Sequence, residues 1–350
     1  LLKYFQAETA DELWRRLAVE FSHGAGTLQD GRQSPTHELL HVGLELSQPR
    51  QRWVSRIPPI NPAFALAEVI WILNGRDDAG FLNYWNRQLP RFAGASATYR
   101  GAYGYRLRHH FGVDQIVRAA RALSRNPTSR QVVLQIWDAS LDLPTDSGEP
   151  QDADIPCNVC SLLKVREGRL DWTQVVRSND LLLGLPYNLV QFTTLQEVLA
   201  AWIGVEVGEF NQISDSLHVY VNDIATINGA VAVGPQPRAE NTDQISTPLE
   251  ESLLWLATLD NLARLLTSDP LGEAQLIGCL QSFDGPQPFR NWLTILAAES
   301  ARRRNWPELA AEVHSQCTNP ALASAWARWS AARSRPSQYV ASGERGPVPA

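Results

Sequence analysis

The chain has 350 residues, 44% of them hydrophobic and 19% charged, so it can bury a full core as one large domain or two. A net charge of −6 excludes the global basic excess expected of a nucleic-acid binder, and no run approaches the roughly 18 apolar residues that span a bilayer. Four scattered cysteines exclude a disulfide framework. With no signal-type segment at the start of the sequence, a cytoplasmic protein without DNA or membrane partners is expected. Lys3 and Lys164 are the only lysines, and there is no methionine, so residue 1 is not an initiator.

In chain order, Thr9 and Glu12 form the pattern of a capping box for an amphipathic helix that places Leu13, Trp14, Leu17 and Phe21 on one face. Gly24 to Pro35 reads as a loop carrying Arg32. Asn61-Pro62 opens a second helix, closed by Gly75, that is apolar almost all round and therefore buried. Asp114 to Leu123 reads as a surface helix and Gln131–Trp137 as a strand. Cys160–Val165 and Arg169–Val176 read as two strands joined by the tight Glu167-Gly168 turn. Asn188 opens a long apolar helix to about Ile203, ended by Gly204. The segment 236–247 reads as a linker between a catalytic domain, 1–235, and a helical extension, 248–350. In the extension, Thr247-Pro248-x-Glu250 caps a helix bearing Leu253, Leu256, Leu259 and Leu266, and Phe289–Arg304 and Pro320–Arg333 read as two more helices. The residues after Arg335 are rich in Pro, Gly and Ser and read as a loose tail.

The stretch Asp154-Ile155-Pro156-Cys157, then Arg177-Ser178-Asn179-Asp180 and Gly184-Leu185-Pro186-Tyr187-Asn188, carries the chemistry. A cysteine precedes one strand of the hairpin and an arginine ends its partner. That combination suits covalent attack on a phosphorylated substrate, since a thiolate needs nearby positive charge and a guanidinium fork matches phosphate. The bland reading of Cys157 is a small buried hydrophobe. The Cys157-x-x-Cys160 spacing has a rival reading as half a zinc site or a redox pair, but no second such pair or His pair completes it. Asn188 suits both a helix cap and an amide that reads a base; Glu68, an acid within an apolar helix, needs a polar pocket against it.

PCNVC, VVRSND, LLLGLPYN and SDSLHVY, with AEVIWILNG (67–75), GAYGYRLR (101–108) and the run 114–137, resemble the thymidylate synthases and related pyrimidine-nucleotide hydroxymethylases over roughly residues 30 to 235. The resemblance implies an α/β fold, a thymidylate synthase-like mixed sheet flanked by helices, here followed by a helical C-terminal extension. It implies C5 one-carbon transfer to a pyrimidine nucleoside monophosphate with 5,10-methylenetetrahydrofolate as cofactor, no metal, and a homodimer with shared active sites. Cys157 would add to C6 of the base. Glu68 would organise water and protons, with Tyr103 also in the catalytic group; Asp154, a departure from the family pattern, is expected there as well. Arg177 and Ser178 would clamp phosphate with Arg32, and Arg130 would reach in from the other subunit. Asn188 would read the base, His218 and Tyr220 the sugar hydroxyl, and Asp180 the pterin ring.

Departures from the family pattern bear on the reaction. Asp154 stands where thymidylate synthases carry an apolar side chain, and Asn158 where a histidine usually follows the cysteine. Gln131 replaces a second arginine. The segment Asn83–Phe92 does not match the family's tryptophan-bearing segment, with Trp85 out of register, and the short apolar C-terminal tail is absent. These features favour hydroxymethylation over reductive methylation of dUMP, because water must reach the reacting carbon. Two other readings stand beside it: an inactive relative serving as a nucleotide or RNA binding module, and an extension serving as an interaction module.

Overall fold

The computed structural model describes residues 3–31, 34–237 and 239–334. Its strands are β1 (Lys3–Ala7), β2 (Thr27–Gln29), β3 (Thr36–Leu46), β4 (Val133–Gln135), β5 (Asn158–Arg166), β6 (Arg169–Val176), β7 (Asn179–Asp180) and β8 (Glu206–Tyr220). They form one mixed sheet in the order β1-β3-β8-β6-β5-β4, with β2 on β3 and β7 on β8. The β5–β6 hairpin pairs Arg166 with Arg169 across Glu167 and Gly168, whose φ angles of 50° and 73° make the expected tight turn.

The principal helices are α1 (Ala10–Ser22), α2 (Pro62–Leu73), α3 (Ala79–Trp85), α4 (Gln115–Arg125), α5 (Leu185–Ile203) and α6 (Ile224–Val233). Short helical turns stand at Pro90–Ala93 and Tyr103–Tyr105, the latter running into a π-turn at Arg106–His110. Helices α1 and α5 pack on the sheet, and α2, buried almost all round as its composition demands, packs against α5. This is the α/β fold the motifs implied.

Several local expectations change. Only half of the first capping box forms: Thr9 Oγ1 accepts from the Glu12 amide at 3.3 Å, but the Glu12 carboxylate meets the amide of Glu8 instead. The strand expected over Gln131–Trp137 shrinks to three residues, and β5 begins two residues earlier than expected. Helix α5 starts at Leu185, because Pro186 fits a first turn that Asn188 would otherwise have opened. Asn188 is thus inside the helix and not its cap.

Among the described residues beyond 235 there are five helices, not three: α7 (Leu249–Leu265), α8 (Glu273–Gln281), α9 (Gln287–Arg303), α10 (Pro307–Ser315) and α11 (Pro320–Ser334). Thr247 makes no cap bond to α7; Pro248 occupies the cap position. The segment before α7 is held along its length. Asn241 donates to Arg50 O at 2.7 Å, Ile245 N to Glu197 Oε1 at 3.0 Å, and Asn291 to Asp243 Oδ1 at 2.8 Å. Helices α7 and α9 lie against α2, and one hydrophobic core runs from Leu13 to Trp326.

Candidate active site

The site grows from the end of the β5–β6 hairpin. Arg177, just past β6, donates from its backbone N–H to Cys157 O at 2.9 Å. Its guanidinium donates to Pro156 O at 2.9 Å and Ile155 O at 3.1 Å, and stacks 5.4 Å from the Trp137 ring. Charged donors to carbonyls contribute about 1.5–3 kcal/mol each, so the loop before the cysteine is pinned to the strand that carries the arginine. Asp154 is fixed from the other side, its Oδ2 accepting from the Gly101 amide at 2.8 Å. A Cβ on Gly101 would come within 3.1 Å of Asp154 O and Pro156 N, so a side chain there would press on the Asp154 loop.

These groups open into a cavity of about 480 Å³, within the ordinary range for a small-molecule site. Cys157, Asp154, Arg177 and Ser178 line it from the hairpin side. Helix α2 contributes Glu68, the Tyr103 turn contributes its phenol, and the end of β8 contributes His218 and Tyr220, whose rings meet edge to face at 5.5 Å. Eight of the expected residues therefore converge.

Four do not. Asn188 is buried, its amide 3.4 Å from Asn179 Oδ1, and is not part of the lining. Asp180 also lies outside it. Its Oδ1 accepts from the amides of Leu182 and Leu183 at 2.6 and 2.7 Å, while Oδ2 is buried with no partner. Arg130 is exposed on the chain's surface, and Arg32 lies outside the described residues. The two members of the Cys-x-x-Cys pair part company. Cys160 stands abreast of Val175 and Ile213 on the sheet face away from α5, and burial pushes its thiol up. Among the described residues no group of three or more His, Cys, Asp or Glu could hold a metal.

Burial sets the electrostatics of the acids. The Glu68 carboxyl reaches the cavity, yet its Oε2 has no hydrogen-bond partner, and desolvation pushes its pKa up to about 8 against a donor bond from Gln191. Burial likewise raises Asp154 to about 6, the Gly101 amide pulling the other way. Tyr103 is raised by burial and then by the negative charge of Cys157. At neutral pH the site thus holds one protonated carboxyl, one largely ionised carboxylate and a neutral phenol.

The thymidylate synthase family model matches residues 59–250, more than half the chain. The chain belongs to the thymidylate synthase family. It is 33% identical over 242 residues to a deoxyuridylate hydroxymethyltransferase of Pseudomonas phage M6, covering 67% of each protein. A protein of the same description from Bacillus phage SP01 is 38% identical over 175 residues, which cover 47% of this chain but 45% of that relative. A putative thymidylate synthase of Methanothermobacter thermautotrophicus is 29% identical over 213 residues, 59% of this chain and 88% of the relative. As a member of this family the chain is an enzyme that transfers one-carbon units to C5, in a folate-dependent family that acts on pyrimidine nucleoside monophosphates. No helix among the described residues is long and apolar enough to cross a membrane.

The sequence reading missed the apolar wall of the cavity. Trp71 and Ile72 of α2 line it beside Glu68, and Leu82, Leu89 and Phe92 come from α3 and the turn after it. Trp71 was legible, being one helical turn from Glu68 on the same face. Trp85 is fully buried behind this wall and does not line the cavity.

The Glu68 shift has a thermodynamic sign. Between pH 4.5 and about 8 the folded state keeps a proton that the unfolded chain has released, so this group makes folding stability fall as pH rises across that window. Glu68→Gln should therefore be more stable than the wild type at pH 8 and above, with the difference vanishing near pH 4. Thermal unfolding across pH checks this; a constant offset at every pH would contradict the assignment.

Proposed function

We propose that the enzyme hydroxymethylates deoxyuridylate at C5 with 5,10-methylenetetrahydrofolate. The observation that carries this reading is Asp154, a largely ionised carboxylate in the cavity wall three residues before the nucleophile. An apolar residue there would repel water; a carboxylate can hold one and take its proton. The two phage relatives, both deoxyuridylate hydroxymethyltransferases, support the same outcome and substrate.

In this mechanism Cys157 adds its sulfur to C6 of the base, and Glu68, protonated at neutral pH, supplies a proton as negative charge develops on O4. The bound folate supplies a one-carbon unit at the formaldehyde oxidation level. Once C5 has taken up that carbon, loss of the C5 proton and release of tetrahydrofolate would leave an exocyclic methylene; Asp154 would then deprotonate a water that adds to it as the sulfur leaves C6. Arg177 and Ser178 hold the phosphate, joined by Arg32; His218 and Tyr220 hold the sugar hydroxyl. On the family pattern Asn188 would read N3–H and O4 of uracil and Asp180 would meet the pterin, which requires both to turn toward a cavity that neither lines in this structure. The residues fit such a cofactor: an apolar wall of Trp71, Leu82 and Phe92 shares the cavity with Glu68, whose buried Oε2 has no partner. The extension, 248–350, and the catalytic part, 1–235, joined by 236–247, belong to one cytoplasmic protein in this proposal.

The proposed assembly is a homodimer through the sheet face that α5 leaves uncovered, where Val133 and Ile213 are 46% and 41% exposed. Arg130 of one subunit would complete the phosphate site of the other. Mixing inactive Arg130→Ala and Cys157→Ala variants under exchanging conditions should restore part of the activity; no recovery would exclude a shared site.

The reaction is tested by product mass and by dihydrofolate absorbance, with dUMP and methylenetetrahydrofolate as substrates. Addition of water predicts a hydroxymethyl product and no dihydrofolate, with the rate of this step falling as pH drops through about 6 and Asp154 takes up its proton. Asp154→Leu should shift some product to the methyl form. Stoichiometric dihydrofolate from the wild type would restore thymidylate synthesis.

A further inference from the structure

The family match ends at residue 250, so the helices beyond it have no assigned task. Their contacts with α2 and α3 suggest one. Helix α3 and the turn after it supply Leu82, Leu89 and Phe92 to the cavity wall, and both ends of α3 are gripped from the C-terminal helices. At its start, Arg76 bonds the Asp78 carboxylate at 2.6 Å and Asp260 of α7 at 2.6 Å, while its guanidinium sits 4.5 Å over the Phe81 ring. At its end, the Trp85 carbonyl accepts from Arg303 Nη2 at 2.6 Å and from the Asn61 amide at 3.1 Å. Arg304 donates to the Tyr84 hydroxyl and, from Nη2, to Ser268 O at 2.6 Å. Both guanidiniums lie over the Tyr84 ring, at 5.2 and 5.7 Å.

The arginines are themselves fixed. Glu299, wholly buried one turn earlier on α9, accepts from Arg302 at 2.7 Å and from Arg303 at 3.1 Å. A buried carboxylate is tolerable only when paired in this way, and its two partners leave Arg303 little rotational freedom. The arrangement is a rigid fork that reaches out of α9 to the end of an element lining the cavity.

We infer that Arg303, assisted by Arg304, is a positioning residue that sets the apolar wall of the active-site cavity, so that the C-terminal helices are part of the working site. The wall and Cys157 line the same cavity, so a shift of the wall changes the space beside the cysteine. The kinetic half of this inference rests on the proposed folate-dependent reaction; the structural half does not.

The test is hydrogen exchange on the full-length protein with Arg303→Met, Arg303→Lys and Tyr84→Phe. Arg303→Met should raise exchange of the amides in 79–93 by about tenfold or more, selectively, because a charged hydrogen bond to the Trp85 carbonyl is lost. Arg303→Lys should restore part of the protection by donating to the same carbonyl. Tyr84→Phe, which removes no charge, should loosen the same segment less. In steady state, Arg303→Met should raise KM for methylenetetrahydrofolate by about tenfold while dUMP affinity, measured separately by calorimetry, changes by less than about twofold. Unchanged exchange in 79–93, or a rise spread evenly over the chain, overturns the inference. Selective loosening of the wall without any change in the cofactor KM overturns its role in the site. If instead the product assay rejects the proposed reaction, the exchange result still decides whether Arg303 positions the wall.

Discussion

Arg177 donates to the carbonyl oxygens of Ile155 and Pro156 through its side chain and to that of Cys157 through its backbone. One residue thereby fixes the loop that presents the nucleophile, and it does so from the end of a central strand whose position the whole sheet determines. The same guanidinium lines the cavity. The group that positions Cys157 therefore also brings a positive charge into the cavity. Changes that shift the β5–β6 hairpin will reach the nucleophile through this contact.

Behind the loop, polar side chains continue the hairpin's rigidity into the core. Gln174 accepts from Ser161 at 2.6 Å and from the Trp172 indole at 3.0 Å, and passes its own amide to Asn158 at 2.9 Å. Asn158 follows Cys157 directly, its Oδ1 ending the chain and its Nδ2 buried with no partner. Buried hydrogen bonds in series stiffen one another, which suits a floor beneath the cavity. The two acids in the lining differ because their surroundings differ. Glu68 has mainly apolar neighbours and keeps its proton; Asp154 has a backbone donor and is largely ionised at neutral pH.

Much of the site was legible because its residues are contiguous with turn and strand signals. The Glu167-Gly168 hairpin, the Cys157 loop and the Arg177-Ser178 pair lie within a short segment, so local geometry alone brings them together. His218 and Tyr220 were legible as a pair but not as neighbours of Cys157, which depends on β8 lying beside β6. The apolar wall was hidden for the opposite reason. Leu82 and Phe92 are ordinary hydrophobic residues, and only the packing of α3 against distant helices turns them toward the cavity. Helices α8 and α10 escaped notice because each is nine residues long and begins just after a Gly or at a Pro, leaving too few turns for a clear apolar face. Glu299 could not have been read as a buried pairing partner, since an acid among three arginines looks like a solvated helix end.

The account stands or falls on covalent attack by Cys157 at C6 of a pyrimidine. A deoxyuridylate bearing fluorine at C5 cannot lose that substituent as a cation, so a reaction that begins with sulfur addition must stop after carbon transfer, with the base still attached. Intact-protein mass spectrometry after incubation with this nucleotide and methylenetetrahydrofolate should show one stable adduct per active site, mapped by digestion to the peptide containing Cys157 and absent from Cys157→Ala. No adduct under conditions that support turnover of dUMP, or an adduct on Cys160, would contradict the account.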